Sequence, residues 1–144
     1  MATEATKKAP KAVQKEEWFL VDATDKTLGR MSTDIAMKLM EKDTATYQPN
    51  VDSRRRHVVV INAAKLALSP KKLEGKLYRR HSQYLGNMKE ATLAEMMHKD
   101  ARKVIELAVK GMLPKNRLQG ERMNRLHVYV DDKHKHPQVS EKKA

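Results

Sequence analysis

The stretch from His57 to Ala63 constrains the fold of this chain most. Its sequence, HVVVINA, is a continuous run of β-branched and apolar side chains, without the polar alternation of a strand that has one wet face. A strand of this kind is buried on both faces, which is typical of the middle of a parallel sheet. Because parallel strands need long crossover connections, the run predicts an α/β domain.

A strand and a helix are predicted before this run. Trp18 to Ala23 is a short apolar stretch that reads as a buried strand. Asp25 or Thr27 is suited to cap a helix that extends to about Met40. One face of that helix carries apolar residues at helical spacing, namely Leu28, Met31, Ile35 and Leu39. Strand, short turn and helix in this order indicate the start of an α/β unit.

Weaker patterns predict the remaining elements. Leu77-Tyr78 is expected to be a third strand, and Val128-Tyr129-Val130 a last one. Thr92 and Glu95 have the spacing of a capping box at a helix start. A short basic helix is predicted over 118–126.

The segment from Val109 to Arg117 predicts a turn that ends a buried helix. The helix before it starts at Asp100, a suitable cap, and its apolar face is formed by Ala101, Val104, Ile105 and Ala108. We expect Gly111 in the left-handed position just past the helix, and Pro114 prevents the helix from resuming. The turn presents polar side chains suited to phosphates, namely Lys110, Lys115, Asn116 and Arg117. Cations here also complement the helix dipole, so this stretch alone leaves both interpretations open.

The charge of the chain favours a polyanionic partner. The formal net charge is +12, with 30 Lys and Arg against 18 Asp and Glu. Residues 54–80 hold nine cations against one acid, and residues 99–125 hold eight against three. Clustering of this kind indicates an electrostatic footprint on a nucleic acid, with an acidic membrane surface as the second choice. The sequence contains no run of about 18 apolar residues, so we expect no membrane span.

Folded RNA is the nucleic acid that fits best. Few aromatic residues are present, and several of them fall in predicted strands, which leaves too few for a platform that stacks single-stranded bases. No helix-turn-helix or zinc-finger spacing is visible, which lowers sequence-specific DNA binding. A reader of RNA phosphates and shape is therefore predicted.

Enzymatic and metal-binding functions are disfavoured. Neither GxGxxG nor GxxxxGK[ST] occurs around Gly29, so the phosphate cradle of a nucleotide enzyme is missing. There are no cysteines. His134 and His136 look like residues of a polar tail rather than rigid metal ligands. We expect no cofactor, no metal and no small-molecule substrate. The lack of cysteine and of a signal-peptide core predicts a cytoplasmic protein.

Several motifs together resemble the large-ribosomal-subunit protein L13 family. The most specific match is Lys110 to Lys115, with sequence KGMLPK. The others occur in the family's order over residues 16–136, namely Trp18 to Ala23, Leu28 to Arg30, Tyr47 to Asp52, Val60 to Lys65, Arg80 to Ser82 and Leu126 to Tyr129.

The resemblance implies a non-enzymatic protein that binds large-subunit ribosomal RNA beside other ribosomal proteins and acts early in subunit assembly. It implies a single three-layer α/β/α domain with a mostly parallel four-stranded sheet. Positions that match the family's basic motifs are Arg30, Lys65, Arg80, His81, Lys89, Lys110, Lys115 and Arg117. His134 and His136 resemble its C-terminal His-rich turn. The charge clusters and the turn add Arg54, Arg55, Arg56, Lys71, Lys72, Arg79, Asn116, Arg122 and Arg125, and with His134 these complete the predicted RNA contacts.

Two stretches depart from the family pattern. Ser53 to Arg56 stands where the family has a glycine-containing turn, and it is either an extra phosphate contact or a remodelled loop. Gln83 and Asn87 stand where the family commonly has glycine, which puts close backbone approach to RNA in doubt there.

The predicted organisation is a disordered basic tail over 1–15, the domain over 16–130 and a polar tail over 131–144. Two further functions stay open. One is an RNA-binding repressor of the protein's own messenger, and the other, disfavoured by the missing glycines, is a nucleotide-dependent enzyme.

Overall fold

The computed structural model describes residues 16–45 and 47–139. The predicted tail over 1–15 lies outside the described residues, as do residues 140–144 of the predicted C-terminal tail. In chain order, the helices and strands are β1 (Glu17–Asp22), α1 (Leu28–Met40), β2 (Arg56–Ile61), α2 (Pro70–Gly75), β3 (Leu77–His81), β4 (Met88–Thr92), α3 (Leu93–Met112), α4 (Leu118–Met123) and β5 (Leu126–Val128).

A parallel sheet of three strands lies at the centre, in the order β1-β2-β5. The middle strand β2 is the predicted apolar run. Val58, Val59 and Val60 are each fully buried. The prediction of a parallel α/β domain is confirmed, and the middle position explains why this run has no polar face.

The register places the two faces of the sheet against different neighbours. Val21 pairs with Val60, and Val58 pairs with Leu126, so these side chains share one face. They belong to the same hydrophobic core as the apolar faces of α1 and α3, including the predicted Leu28, Met31, Ile35 and Leu39. The main core therefore lies between this face of the sheet and the two long helices.

Aromatic rings cover part of the opposite face. Trp18 and His57 are register partners, and their rings stack with centroids 4.2 Å apart. The ring of His127, on β5, lies 6.0 Å from that of His57 and 5.8 Å from that of Trp18. His136, from the C-terminal segment, lies 5.0 Å from Trp18 and 4.3 Å from His127. The segment after β5 thus packs on the sheet through an imidazole that sequence reasoning assigned to a polar tail.

The predicted four-stranded, three-layer arrangement is not confirmed. Within the described part of the chain, the parallel sheet has three strands, and β3 pairs with β4 in a separate antiparallel hairpin. The weak strand at Leu77-Tyr78 was predicted correctly as a strand, but β4 was not predicted. The last strand begins at Leu126, two residues before the predicted start.

Helix α3 contains a break where the sequence predicts a cap. Thr92 and Glu95 form the predicted capping box at its start. Asp100 then leaves the helical conformation, with φ −163° and ψ 98°. Its carboxylate accepts from the backbone N–H of Arg102 at 3.1 Å, as an N-cap does. Hydrogen bonds from Arg102 also lower the pKa of Asp100.

The predicted role of Gly111 is wrong. The helix continues through Met112, and Gly111 is not among the described residues with positive φ. Leu113 ends the helix in an extended conformation, φ −77° and ψ 146°. This is the conformation that a following proline imposes, so Pro114, rather than a left-handed glycine, terminates α3.

Two buried arginines share the carboxylate of Asp52, which lies in the loop that precedes β2. The Arg125 guanidinium donates to an Asp52 carboxylate oxygen at 2.6 Å, and Arg122 Nε lies 3.9 Å from the same oxygen. The side chains of Asp52, Arg122 and Arg125 are only 6%, 1% and 6% exposed. Asp52 therefore compensates charge that the fold has removed from water, and it ties its loop to α4 and to the residue that precedes β5.

We expect Asp52→Asn to lower the free energy of unfolding by about 3 to 5 kcal/mol, because it leaves two buried guanidinium groups without a carboxylate. Urea denaturation of the variant and the parent measures the loss. Asp132→Asn, which removes an exposed carboxylate, is the matched control and should change stability by less than about 0.5 kcal/mol. Equal stability of the two variants would contradict the assigned role of Asp52.

The rings of Trp18, His57, His127 and His136 form a cluster, here called the ring cluster, that makes stability depend on pH. Burial lowers the pKa of both His57 and His127, and the neighbouring His136 lowers that of His127 further. Above the ordinary value of 6.5 both imidazoles are neutral in the folded and unfolded chain, so the folded state pays no penalty. As the pH falls through 6.5 toward the lowered values, the unfolded chain takes up protons that the folded chain resists, and stability is lost.

We therefore expect the free energy of unfolding to fall between about pH 7.5 and about pH 5. The variant with His57→Phe and His127→Phe keeps two rings without titratable nitrogens and should lose part of this dependence. Denaturant titrations at both pH values compare the slopes. The same slope in parent and variant would show that these imidazoles do not carry the effect.

Candidate nucleic-acid interface

The carboxyl ends of β1 and β2 are joined by a polar bridge. Asp22 ends β1, and its carboxylate accepts from the backbone and hydroxyl of Thr24 at 3.0 and 2.8 Å and from the Asn62 amide at 3.1 Å. The backbone N–H of Thr24 is the largest cause that lowers the pKa of Asp22. Asn62 adopts a left-handed conformation, φ 57°, which asparagine tolerates. The loops that leave the two strands are therefore fixed side by side.

These loops position Lys65 and Arg30. Isolated bridges pair Thr24 with Leu66 and Thr27 with Ala67, and the backbone N–H of Asp25 donates to the Lys65 carbonyl at 3.4 Å. Arg30 lies in the first turn of α1, which has no acidic residue. Both side chains are exposed. A cation at the positive end of a helix dipole does not stabilise the helix, so the position of Arg30 favours an external anion.

The turn after α3 is held by a residue that sequence reasoning missed. The Gln119 side-chain amide donates to the carbonyls of Lys110 and Leu113, at 2.9 and 3.3 Å. It thereby satisfies helix-end carbonyls that would otherwise need water. Asn116 uses its side-chain oxygen to accept from the backbone N–H of Leu118 at 3.1 Å. A glutamine several residues beyond a predicted helix end gave no sequence pattern by which to find this role.

This cationic turn, formed by Lys110, Lys115, Asn116 and Arg117, is connected to the start of α1. The Thr33 hydroxyl lies 3.3 Å from the Met112 sulfur. Arg30 is one helical turn before Thr33, so it lies on the side of α1 that approaches the end of α3. Lys110, Lys115 and Arg117 are exposed, and within the described ranges none of the three has an acidic partner.

The β3–β4 hairpin carries a second group of cations. Arg80 and Lys89 are register partners on adjacent antiparallel strands, so two like charges stand directly opposite each other. Such a pair destabilises a hairpin in isolation, and an anion between the side chains would relieve the repulsion. Arg79 differs, because its guanidinium donates to Glu90 at 2.7 Å across the hairpin. His81 accepts from the backbone N–H of Gln83 at 3.0 Å through Nδ1.

Lys71 and Lys72 lie in α2, whose first turn contains no acid, and both are exposed. In the sequence, Lys71 and Lys72 lie between the Lys65 loop and the hairpin. His134 is half-buried, with its ring 6.3 Å from that of Tyr129. The structure therefore exposes Lys71 and Lys72 but packs His134 against the body of the protein.

Three predicted contacts need correction. Arg56, Arg122 and Arg125 are buried, with 8%, 1% and 5% exposure. Arg56 pairs with Glu17 at 3.0 Å and with Asp43, and the other two surround Asp52. Their guanidinium groups compensate acids inside the fold, so in this conformation they do not face an RNA.

The other two arginines before β2 are paired at the surface. Arg54 contacts Glu121 at 2.8 Å and Arg55 contacts Glu17 at 3.6 Å. Of the two interpretations of this segment, a remodelled loop therefore fits its contacts better than an extra phosphate site. Sequence reasoning could not separate the paired arginines of residues 54–56 from the free ones, because their acidic partners lie 13 or more positions away.

Other kinds of site receive no support from the described part of the chain. Among residues 16–45 and 47–139, no three His, Asp or Glu side chains are grouped to hold a metal ion. No helix in the same ranges is long and apolar enough to cross a membrane.

Comparison with known proteins agrees with this basic, non-catalytic surface. The profile of the family described as Ribosomal protein L13 matches residues 16–135. The chain belongs to this family. A relative named large ribosomal subunit protein uL13, from Agathobacter rectalis, is 47% identical over 120 residues, covering 83% of this chain and 84% of the relative. Proteins of the same name from Clostridioides difficile and Stenotrophomonas maltophilia are 48% and 45% identical, covering 88% and 85% of this chain and 87% and 89% of their own lengths.

Membership in the L13 family confirms the resemblance found from the motifs. The chain is a ribosomal protein of the large subunit, located in the cytoplasm on the ribosome, and it is not an enzyme. The most specific of the family motifs, Lys110 to Lys115, lies inside the matched range, at the structured end of α3.

We expect the variant with Lys115→Ala and Arg117→Ala to bind ribosomal RNA more weakly and with a smaller salt dependence. If each cation neutralises one phosphate, the slope of log K against log salt should shrink by about 1.5. Thermal stability should stay within roughly 0.5 kcal/mol, because both side chains are exposed. Filter binding over a range of salt concentrations measures the slope.

The matched control removes two exposed cations that belong neither to the cationic turn, nor to the hairpin, nor to the Arg30 and Lys65 loops, namely Lys42→Ala and Arg102→Ala. It changes the net charge equally, so it accounts for nonspecific attraction. An equal loss of slope in both double variants would remove Lys115 and Arg117 from the interface.

Proposed function

We propose that this chain is a structural constituent of the large ribosomal subunit that binds folded ribosomal RNA through phosphate contacts and supports early subunit assembly and translation. The observation that carries the proposal is the division among the cations. A set of exposed Lys and Arg residues has no acidic partner in the described ranges, namely Arg30, Lys65, Lys71, Lys72, Arg80, Lys89, Lys110, Lys115 and Arg117. Free, clustered cations are what a phosphate-binding surface requires.

The rigidity of the supporting elements favours recognition of a folded RNA. Arg30 and Lys65 follow strands that are bridged by Asp22 and Asn62, and the cationic turn is braced by Gln119. Cations held at fixed positions match phosphates held at fixed positions, as in a folded RNA. A flexible single strand would place no such demand on the protein.

The mechanism is neutralisation and bracing. Each phosphate contact releases counterions, which supplies affinity, and the α/β core keeps the contacts in register. By joining RNA segments bound at the cationic turn and at the hairpin, the protein would lower the cost of bringing them together during assembly. Neighbouring large-subunit proteins are the other expected partners.

The test is sedimentation of tagged protein from cell extract through sucrose gradients at low and high salt, with sequencing of the RNA that travels with it. Retention with large-subunit RNA through a high-salt wash is expected. A variant with Arg30→Ala, Lys65→Ala, Lys115→Ala and Arg117→Ala should leave the subunit at lower salt. Recovery in the soluble fraction, alone or with one messenger, would contradict the proposal, and the second result would favour a repressor of its own messenger.

A further inference from the structure

The β3–β4 hairpin projects from the domain. Its two strands pair only with each other among the described strands, and every residue from 79 to 90 is exposed. Its base is fixed to the fold, because the Leu93 backbone N–H donates to the Lys76 carbonyl at 2.9 Å and Leu93 is 1% exposed. The hairpin is therefore a two-stranded arm on a rigid support, with little of its own surface buried.

The hairpin tip, Ser82 to Asn87, has a defined conformation. The Gln83 backbone N–H donates to His81 Nδ1 at 3.0 Å, and that of Asn87 donates to the Tyr84 carbonyl at 3.2 Å. Gln83 and Gly86 both have positive φ, 68° and 72°. A left-handed glutamine is strained, and strain of this kind is often retained where a loop binds something. Gln83 thus adopts a left-handed conformation although it stands where the resemblance places a glycine.

The tip exposes two large apolar side chains. Tyr84 is 76% exposed and Leu85 is 103% exposed. Tyr84 is the one exposed residue among the Phe, Trp and Tyr residues of the chain, all of which lie in the described ranges. The others are partly buried against the body of the protein. Among residues 16–45 and 47–139, no ring contact and no side-chain hydrogen bond involves Tyr84, and exposure of its ring to water is unfavourable, so the ring is available to an external partner.

Two cations lie on the strands close to the tip that carries this ring. Arg80 and Lys89 face each other one register pair from the end of the hairpin, which closes with His81 opposite Met88. The only acid on the two strands, Glu90, is already paired with Arg79. An aromatic ring at the end of an unneutralised cationic arm is the arrangement that binds an unpaired base together with its flanking phosphates. An apolar protein pocket would accept the ring but would leave the Arg80–Lys89 repulsion unrelieved.

We propose that the hairpin tip is a base-stacking site, at which Tyr84 stacks on an unpaired nucleotide of the ribosomal RNA while Arg80 and Lys89 hold the adjacent phosphates. Leu85 covers the edge of the stacked base. The site deepens and rests on the proposed function, because it assumes that the RNA is the ligand. A single stacking residue is compatible with the scarcity of aromatic residues, which argues only against an extended platform.

The first experiment separates stacking from charge. Tyr84→Ala should weaken binding of the full-length protein to large-subunit ribosomal RNA at least about fivefold and leave the salt slope unchanged, since no charge is lost. Tyr84→Phe keeps the ring and should bind within about twofold of the parent. Arg80→Ala should instead reduce the slope by about 0.8. Circular dichroism checks that the exposed substitutions leave the fold intact.

Three other outcomes would rule out either the stacking site or the proposed function. If Tyr84→Ala binds the RNA as the parent does, the stacking site is wrong and the proposed function stands. If Tyr84→Phe loses as much affinity as Tyr84→Ala, the hydroxyl rather than the ring makes the contact, and stacking is again wrong. If the parent itself does not bind the RNA, the proposed function fails.

A second experiment decides between RNA and protein as the occupant. Tyr84 is replaced by a photoreactive benzophenone amino acid in the full chain, the protein is assembled into large subunits, and the sample is irradiated. A cross-link to ribosomal RNA at a nucleotide outside a helix supports the proposal. A cross-link to a protein neighbour would overturn it. The same replacement at Val51, an exposed side chain in the loop before β2, reports the background.

Discussion

The pairing of β2 with parallel strands on both of its sides is the constraint on which the rest of this structure depends. A fully buried strand can carry no free polar groups, so its whole surface must be covered by neighbours. The face with Val58 and Val60 requires the two long helices, and the face with His57 requires the ring cluster and the C-terminal segment. The ends of the same strands then determine where the loops with Lys65 and Arg30 begin.

Arginine serves two opposite purposes in this chain. Arg122 and Arg125 are removed from water and gathered around Asp52. Arg30, Arg80 and Arg117 are instead exposed, without an acidic partner among the described residues. A buried charge needs compensation inside the fold, while an exposed unpaired one costs the fold little and remains available to phosphate. The chain therefore has more cations than the proposed RNA-binding surface contains. Net charge alone overstates the number of contacts.

Sequence reasoning predicted features that depend on local spacing. The apolar face of α1, the capping box at Thr92 and the cap at Asp100 all follow from residues within a few positions of one another. It failed where distant partners decide. The pairing of β3 with β4, the burial of Arg122 and the brace from Gln119 each depend on residues that come together only in the fold. The error at Gly111 has a local cause, since the effect of Pro114 on Leu113 outweighed the glycine's preference.

The candidate surface was also predicted only in part. The free cations of the turn and the hairpin were among the residues expected from charge clustering and family motifs, although their contact with RNA stays a prediction. The exposed tip at Tyr84 was not expected, because a tyrosine between polar residues gives no sign of whether it points inward or outward. Its importance depends on the β3–β4 hairpin, of which the sequence indicated only the strand β3.

We expect the exposed, unpaired cations of the cationic turn, the hairpin and the Arg30 and Lys65 loops, and not the chain's charge as a whole, to face the ribosomal RNA. Lysine acylation followed by mass spectrometry, on the free protein and on the protein in assembled large subunits, tests it most directly. Lys65, Lys89, Lys110 and Lys115 should lose reactivity on assembly, while Lys42, which lies outside these groups, should stay reactive. Unchanged reactivity at these four lysines, with protection confined to other positions, would contradict it.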